Sequence, residues 1–114
     1  LDRFVARRRA IAALYRGHLA GTGILLPPDD PAHVYYRFVV NLRRPAKDVM
    51  KALLAAGIEV KAPVFKPLHV YLKEDRTRFP NTQWFYRCVV SLPIYPLLTD
   101  REAEAVVAAL LAPP

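Results

Sequence analysis

Short amphipathic segments separated by proline and glycine constrain this chain more than any other feature of its sequence. Residues 1–19 carry apolar side chains at three-, four- and seven-residue spacings, which predicts a helix that Gly21 and Gly23 end. A proline-rich loop over residues 21–31 follows. Apolar and polar residues then alternate over residues 33–42, where β-branched and aromatic side chains predict a half-buried strand.

The same alternation continues to the end of the chain. Residues 45–56 predict a helix, with Pro45 at its first position and Gly57 as the left-handed residue after it. The remaining predicted elements are a strand over 58–62, a helix over 81–87 capped by Asn81 or Thr82, a strand over 89–94 and a last helix that Thr99 and Glu102 open as a capping box. Residues 64–78 are predicted to be irregular. This order favours an α+β fold, with a small three-stranded, mainly antiparallel sheet and helices packed on it.

Length and charge exclude several classes of protein. A chain of 114 residues fits one small domain, and it is too short for a complete kinase or TIM barrel, which need roughly 200 residues or more. Residues 1–20 hold five arginines and a single acid, so a large part of the net charge of +7 lies on the first predicted helix. Such a stripe can mark a nucleic acid or another anionic partner, although a solvated helix face is the commoner explanation. Arg8 falls inside the apolar stripe, where an arginine usually extends its charged end to solvent or meets a carboxylate, and where it could instead face a partner domain.

Other chemistry has little support in the sequence. A lone cysteine, Cys88, excludes an internal disulfide, and its apolar flank predicts a buried, unreactive thiol. The three histidines lack metal-ligand spacing, and no phosphate-binding loop or nucleophile elbow occurs. No apolar run could cross a membrane and no signal peptide is recognisable, so a cytoplasmic location is expected. Because the chain begins at Leu1, we expect it to be part of a longer polypeptide.

Two short stretches are candidate binding positions. His69 lies in a proline-bounded loop between regular elements, where a histidine could contact an anion or transfer a proton. Tyr35 and Tyr36 lie beside Arg37, as in a base-stacking RNA-binding surface. Consecutive residues of a strand point to opposite faces, so only one tyrosine could stack on an outward ligand. Packing in the core or at an interface is therefore the better interpretation of the tyrosine pair.

Several motifs together resemble one family. They are His-Val-Tyr-Tyr-Arg-Phe-Val-Val at 33–40, Gly-Ile at 57–58, Pro-Leu-His at 67–69, Phe-Pro-Asn-Thr at 79–82, Ser-Leu-Pro-Ile-Tyr-Pro at 91–96 and Leu-Thr-Asp at 98–100. In this order and spacing, residues 1–114 resemble the C-terminal small domain of the DegT/DnrJ/StrS-type aminotransferases. Members of that family use pyridoxal phosphate (PLP) to aminate keto groups of nucleotide-linked sugars or aminocyclitols.

The resemblance implies which parts of such an enzyme this chain holds. The lysine that carries PLP and the aspartate that partners its pyridine nitrogen would lie in a large domain before Leu1. None of the five lysines here is assigned that role, so the chain alone is expected to bind no PLP and to be inactive. His69, together with Lys66 and Tyr71, is expected to line the substrate entrance. Trp84 and Phe85 would pack on the large domain of a homodimeric enzyme.

Two alternatives stay open at this point. A PLP-dependent sugar dehydratase would share the same small domain and differ at the cofactor lysine. A stand-alone module that binds nucleic acid through the basic first helix would lose affinity steeply as salt rises.

Overall fold

The computed structural model describes residues 1–113 and confirms the α+β fold class. Its elements are α1 (Asp2–Leu19), β1 (Phe38–Asn41), α2 (Lys47–Ala55), α3 (Leu68–Tyr71), the 3-10 turn Arg76–Arg78, α4 (Pro80–Cys88), β2 (Val89–Leu92) and α5 (Asp100–Leu111). Within residues 1–113, no helix combines the length and the apolar character that a bilayer span requires.

The core lies where α1 and α5 pack together over the sheet. β1 and β2 are antiparallel, with Phe38 opposite Leu92. Tyr15 of α1 is fully buried; its ring lies 5.2 Å from that of Phe38, and its hydroxyl donates to the Pro93 carbonyl at 2.6 Å. Burial raises the pKa of Tyr15 well above its usual value, and the nearby Tyr95 adds to the shift. One buried aromatic pair thus joins the first helix to the sheet.

The described sheet has two strands where three were predicted. Residues 58–62 contribute a single antiparallel bridge, between Lys61 and Ser91, with N–H···O distances of 2.8 and 3.4 Å. Pro63 follows, and its missing N–H prevents the ladder from continuing. A second bridge, Leu25 to Asn41, lies in the loop after α1, where no pairing was predicted. The sheet therefore has two full strands, each with one short contact at an outer edge.

The predicted strand over residues 33–42 is also too long. Tyr35 has a φ of 50°, which breaks the extended backbone, and its N–H donates to His33 Nδ1 at 2.8 Å. The two rings stack with centroids 4.2 Å apart. As a result Tyr35 is buried and Tyr36 is 71% exposed, although alternation places Tyr36 on the same face as the buried Phe38 and Val40. A local histidine–tyrosine contact has overridden the period-two pattern.

Helix ends follow their sequence signals in most places. The Thr99 capping box is confirmed, with both hydrogen bonds to Glu102 at 3.1 Å, and Gly57 has the expected left-handed φ of 81°. α2 starts later than predicted, at Lys47. α4 starts earlier, because Pro80 occupies its first position, where its fixed φ fits a helix. Neither Asn81 nor Thr82 is therefore its cap.

Three apolar residues that fall on the predicted apolar stripes of their helices are exposed. Phe4, Leu54 and Leu111 each lie in the first or last turn of their helix, away from its central turns. The central residues of the predicted stripes in α1 and α5 are buried as expected. Cys88 is fully buried, as predicted, and burial raises the pKa of its thiol.

Candidate functional site

The Pro-Leu-His motif forms one turn of helix, α3, where irregular structure was predicted. Pro67 is extended and precedes the helix, and its carbonyl accepts from the N–H of Val70 at 3.0 Å. The carbonyl of His69 accepts from Glu74 N–H at 2.9 Å, which closes the turn that follows. The proline-fixed start and this closing bond position the candidate residues.

His69 is 6% exposed and lies against α4 and the residue before it. Its Nε2 lies 2.6 Å from the Gln83 side-chain nitrogen, and its ring stacks on Phe79 with centroids 4.8 Å apart. An amide nitrogen can only donate, so in this arrangement the imidazole accepts; rotating the amide would reverse the roles. His69 thus fastens α3 to α4.

Lys66 and Tyr71 lie together on the exposed side of the same segment. The Lys66 ammonium lies 5.1 Å from the centre of the Tyr71 ring, a cation–π distance, and both side chains are exposed. The structure therefore brings two of the three predicted residues into contact. The imidazole of the third is directed to Gln83 and Phe79.

Gln83 is the partner that the sequence did not indicate. It lies 14 residues from His69, and no periodic pattern links a turn of helix to the first turns of the next one. The available signal was its position directly after the Phe-Pro-Asn-Thr motif. An amide there bonds the imidazole without bringing a charge to it.

The surface around these residues is unusually apolar. Its exposed large hydrophobic side chains are Val64, Phe65, Leu68, Tyr71, Leu72, Trp84 and Phe85. We call residues 64–88 the site segment. Few side chains of the site segment are buried against the rest of the described chain. Isolated exposed apolar residues would be unremarkable, whereas seven of them in one segment are typical of a contact surface.

Arg7 and Arg9, two of the five arginines of the first helix, are already paired within the chain. The Arg7 guanidinium donates to the Leu98 carbonyl at 2.6 Å and pairs with Asp100 at 2.8 Å. Arg9 donates to the His33 carbonyl at 3.1 Å. Since these acceptors belong to the chain itself, the arginines help to hold its fold, which argues against a nucleic-acid module.

The described residues include neither an enclosed lysine for PLP nor a cluster of metal ligands. All five lysines are exposed, and PLP bound as an imine needs a lysine inside a shaped site. Within residues 1–113, no three side chains of histidine, cysteine, aspartate or glutamate cluster as metal ligands would. Among the described residues, no lysine lies in an enclosed site of that kind.

Comparison with known proteins identifies relatives of the chain. The DegT/DnrJ/EryC1/StrS aminotransferase family model matches residues 1–111. The dTDP-3-amino-3,6-dideoxy-alpha-D-galactopyranose transaminase of Aneurinibacillus thermoaerophilus is 35% identical over 116 aligned residues, which cover 96% of this chain and 31% of that protein.

Comparison with solved structures leads to the same family. The structure of S. venezuelae DesV in complex with a ketimine intermediate is 34% identical, with a TM-score of 0.85 over 96% of this chain and 31% of that one. The aminotransferase TlmJ from Streptoalloteichus hindustanus is 26% identical, with a TM-score of 0.83 and the same coverage. The chain spans about a third of the length of these relatives. It belongs to the DegT/DnrJ/EryC1/StrS aminotransferase family.

Proposed function

We propose that residues 1–114 are the C-terminal small domain of a PLP-dependent aminotransferase that converts a keto group of a nucleotide-linked sugar into an amine. The observation that carries this proposal is a family match over residues 1–111 in a chain that spans 31% of its relatives. The relative from A. thermoaerophilus is named as a transaminase of a dTDP-linked amino sugar, which supports the substrate class. We call the longer polypeptide the parent enzyme, and we expect a cytoplasmic homodimer.

The proposal places PLP chemistry outside this chain. When bound, PLP carries the amino group and withdraws electrons from the reacting carbon. As the family resemblance implies, its lysine and its pyridine-nitrogen partner would come from the large domain of the parent enzyme; the five lysines described here are all exposed. No residue of this chain is assigned a catalytic role.

The site segment would contribute to substrate binding. Lys66 supplies a positive charge and Tyr71 a hydroxyl group, both exposed on one turn. A nucleotide-linked sugar carries a negatively charged diphosphate, so these groups could hold it while the keto carbon reaches PLP; such orientation lowers a barrier by several kcal/mol. His69 would border the entrance and, through its contacts with Gln83 and Phe79, would fix the turn that carries Tyr71 and follows Lys66.

An assay of the parent enzyme tests the reaction. Purified protein is supplied with PLP, an amino-acid donor and a nucleotide-linked keto sugar, and the product is analysed by mass spectrometry. Replacing the carbonyl oxygen by an amine makes the sugar heavier by about one mass unit. A product that has lost water instead would identify the dehydratase alternative and overturn the proposal.

Variants of the parent enzyme test the site. We expect His69→Ala and Lys66→Met each to raise KM for the sugar about tenfold, equivalent to about 1.4 kcal/mol of lost binding. Lys73→Met is the matched control, since it removes another exposed lysine of the same segment. Unchanged kinetics in both test variants would remove these residues from the substrate entrance.

A further inference from the structure

A wide groove runs between α1, residues 57–63, the end of β2 and α5. Its volume is about 1350 Å³, and apolar side chains such as Ile58, Leu92 and Val106 line much of it. Small-molecule sites are usually enclosed and occupy roughly 300–1,000 Å³. The groove is larger than that and open to solvent, so its shape suits a length of polypeptide.

Arg8 lines this groove with an unsatisfied donor. Among the described residues its Nε atom is buried and has no hydrogen-bond partner. Buried polar atoms in native proteins almost always have a partner, and a guanidinium offers Nε together with a terminal nitrogen as a fork that fits a carboxylate. The arrangement therefore points to an acceptor that the chain itself does not supply.

The neighbouring arginines show that the missing partner is particular to position 8. Arg7 pairs with Asp100 at 2.8 Å, and Arg9 donates to the His33 carbonyl at 3.1 Å. All three residues are consecutive on α1 and share its geometry. Only the direction in which each side chain leaves the helix separates the partnered pair from Arg8.

The acids of the groove are already engaged. Glu59 lies 3.4 Å from Lys61, and Glu102 accepts from the Thr99 N–H at 3.1 Å as part of the capping box. Arg37, also in the lining, donates to the Pro63 carbonyl at 2.6 Å. The groove is thus positively charged at Arg8 and apolar beside it, which is complementary to an acidic residue flanked by apolar ones.

We propose that Arg8 binds the carboxylate of an aspartate or glutamate in a segment of the parent enzyme outside residues 1–114, and that this segment lies in the groove. The proposal rests on the proposed function only in requiring a longer parent chain, as the threefold greater length of the relatives suggests. Apolar side chains of the same segment would cover Tyr36 and Tyr95, which line the groove and are 71% and 46% exposed.

Zero-length cross-linking of the intact parent enzyme tests the contact. A carbodiimide joins an amine to a carboxylate in contact with it, with loss of water. In Arg8→Lys, we expect a cross-link from the introduced amine to an acidic residue outside residues 1–114, identified by peptide mass spectrometry. Arg7→Lys is the positive control and should link to Asp100; Arg9→Lys is the negative control, because its acceptor is a carbonyl.

Two results would overturn the proposal. In the first, the Arg8→Lys variant cross-links only to Glu102 or to another acid of this chain. In the second, Arg8→Lys gives no cross-link although Arg7→Lys gives its expected product. Arg8→Met in the parent enzyme provides a second measurement. A lost carboxylate partner lowers Tm by a few degrees, whereas an arginine that is unpartnered in the parent too gives an unchanged or higher Tm. The sugar assay is run on the natural parent enzyme before any cross-linking and is independent of both. A parent enzyme that shows the Arg8 contact but no aminotransferase activity therefore contradicts the proposed function alone.

Discussion

The α1–sheet–α5 core and the site segment are held together by different means. Tyr15, Phe38 and Val107 are buried in one continuous apolar cluster that spans most of the chain length. The site segment buries Pro67, His69 and Cys88. Its α3 contacts α4 through the imidazole of His69, and the Tyr86 hydroxyl of α4 donates to the Phe65 carbonyl at 2.8 Å. The core can therefore form from its own side chains, whereas the segment with the candidate binding residues depends on a polar contact and leaves apolar surface uncovered.

Removal of a core aromatic should give the largest effect. Phe38→Ala leaves a cavity against Tyr15 and Tyr35, so we expect a loss of about 3–5 kcal/mol in the free energy of unfolding, measured by urea denaturation. Phe65→Ala is the matched control, because Phe65 is 85% exposed and its loss should cost less than about 0.5 kcal/mol. Equal losses in the two variants would contradict the division into core and segment.

His69→Ala should act locally. The variant loses a hydrogen bond and an aromatic stack, together about 1–3 kcal/mol, and we expect faster amide hydrogen exchange across α3 with little change in α1 and α5. Gln83→Ala removes the hydrogen bond and retains the stack on Phe79, so its effect should be smaller. Uniformly faster exchange over the whole molecule would mean that His69 supports the core.

The buried tyrosine predicts a dependence on pH. The pKa of Tyr15 is higher in the folded state than in the unfolded state, where it is about 10. The contribution of Tyr15 to the free energy of unfolding is therefore complete below about pH 10. It is lost as the pH rises further, by about 1.4 kcal/mol per pH unit. Tyr15→Phe loses about 1 kcal/mol at pH 7 with its bond to Pro93. Its curve of stability against pH should cross that of the natural chain near pH 11; parallel curves would exclude this role.

The capping box gives the smallest effect. Thr99→Ala should lower the free energy of unfolding by about 1 kcal/mol, since the first turn of α5 loses its side-chain acceptor. Thr82→Ala is the control, because α4 begins at Pro80 without a side-chain cap and Thr82 makes no capping bond. A loss at Thr82 as large as that at Thr99 would favour the start of α4 predicted from sequence.

Sequence predicted the core better than the site for a physical reason. The stripes of α1 and α5, the burial of Cys88 and the Thr99 cap depend on side chains a few residues apart, so local spacing reveals them. The short contact at Lys61 and the pairing of His69 with Gln83 depend on distant segments. At Tyr35, the neighbouring His33 outweighed a strand pattern that was locally convincing. His69 was singled out by its proline-bounded loop. Family resemblance placed it, with Lys66 and Tyr71, at the substrate entrance, and that role remains a prediction.

Hydrogen exchange in two proteins tests the central claim most directly. The 114-residue chain and the parent enzyme are compared amide by amide. If this chain is a small domain with a self-sufficient core, amides of α1, β1, β2 and α5 are protected in both proteins, and those of the site segment are slower by tenfold or more in the parent enzyme, where the large domain covers them. Equal protection of the site segment in the two proteins would contradict the account.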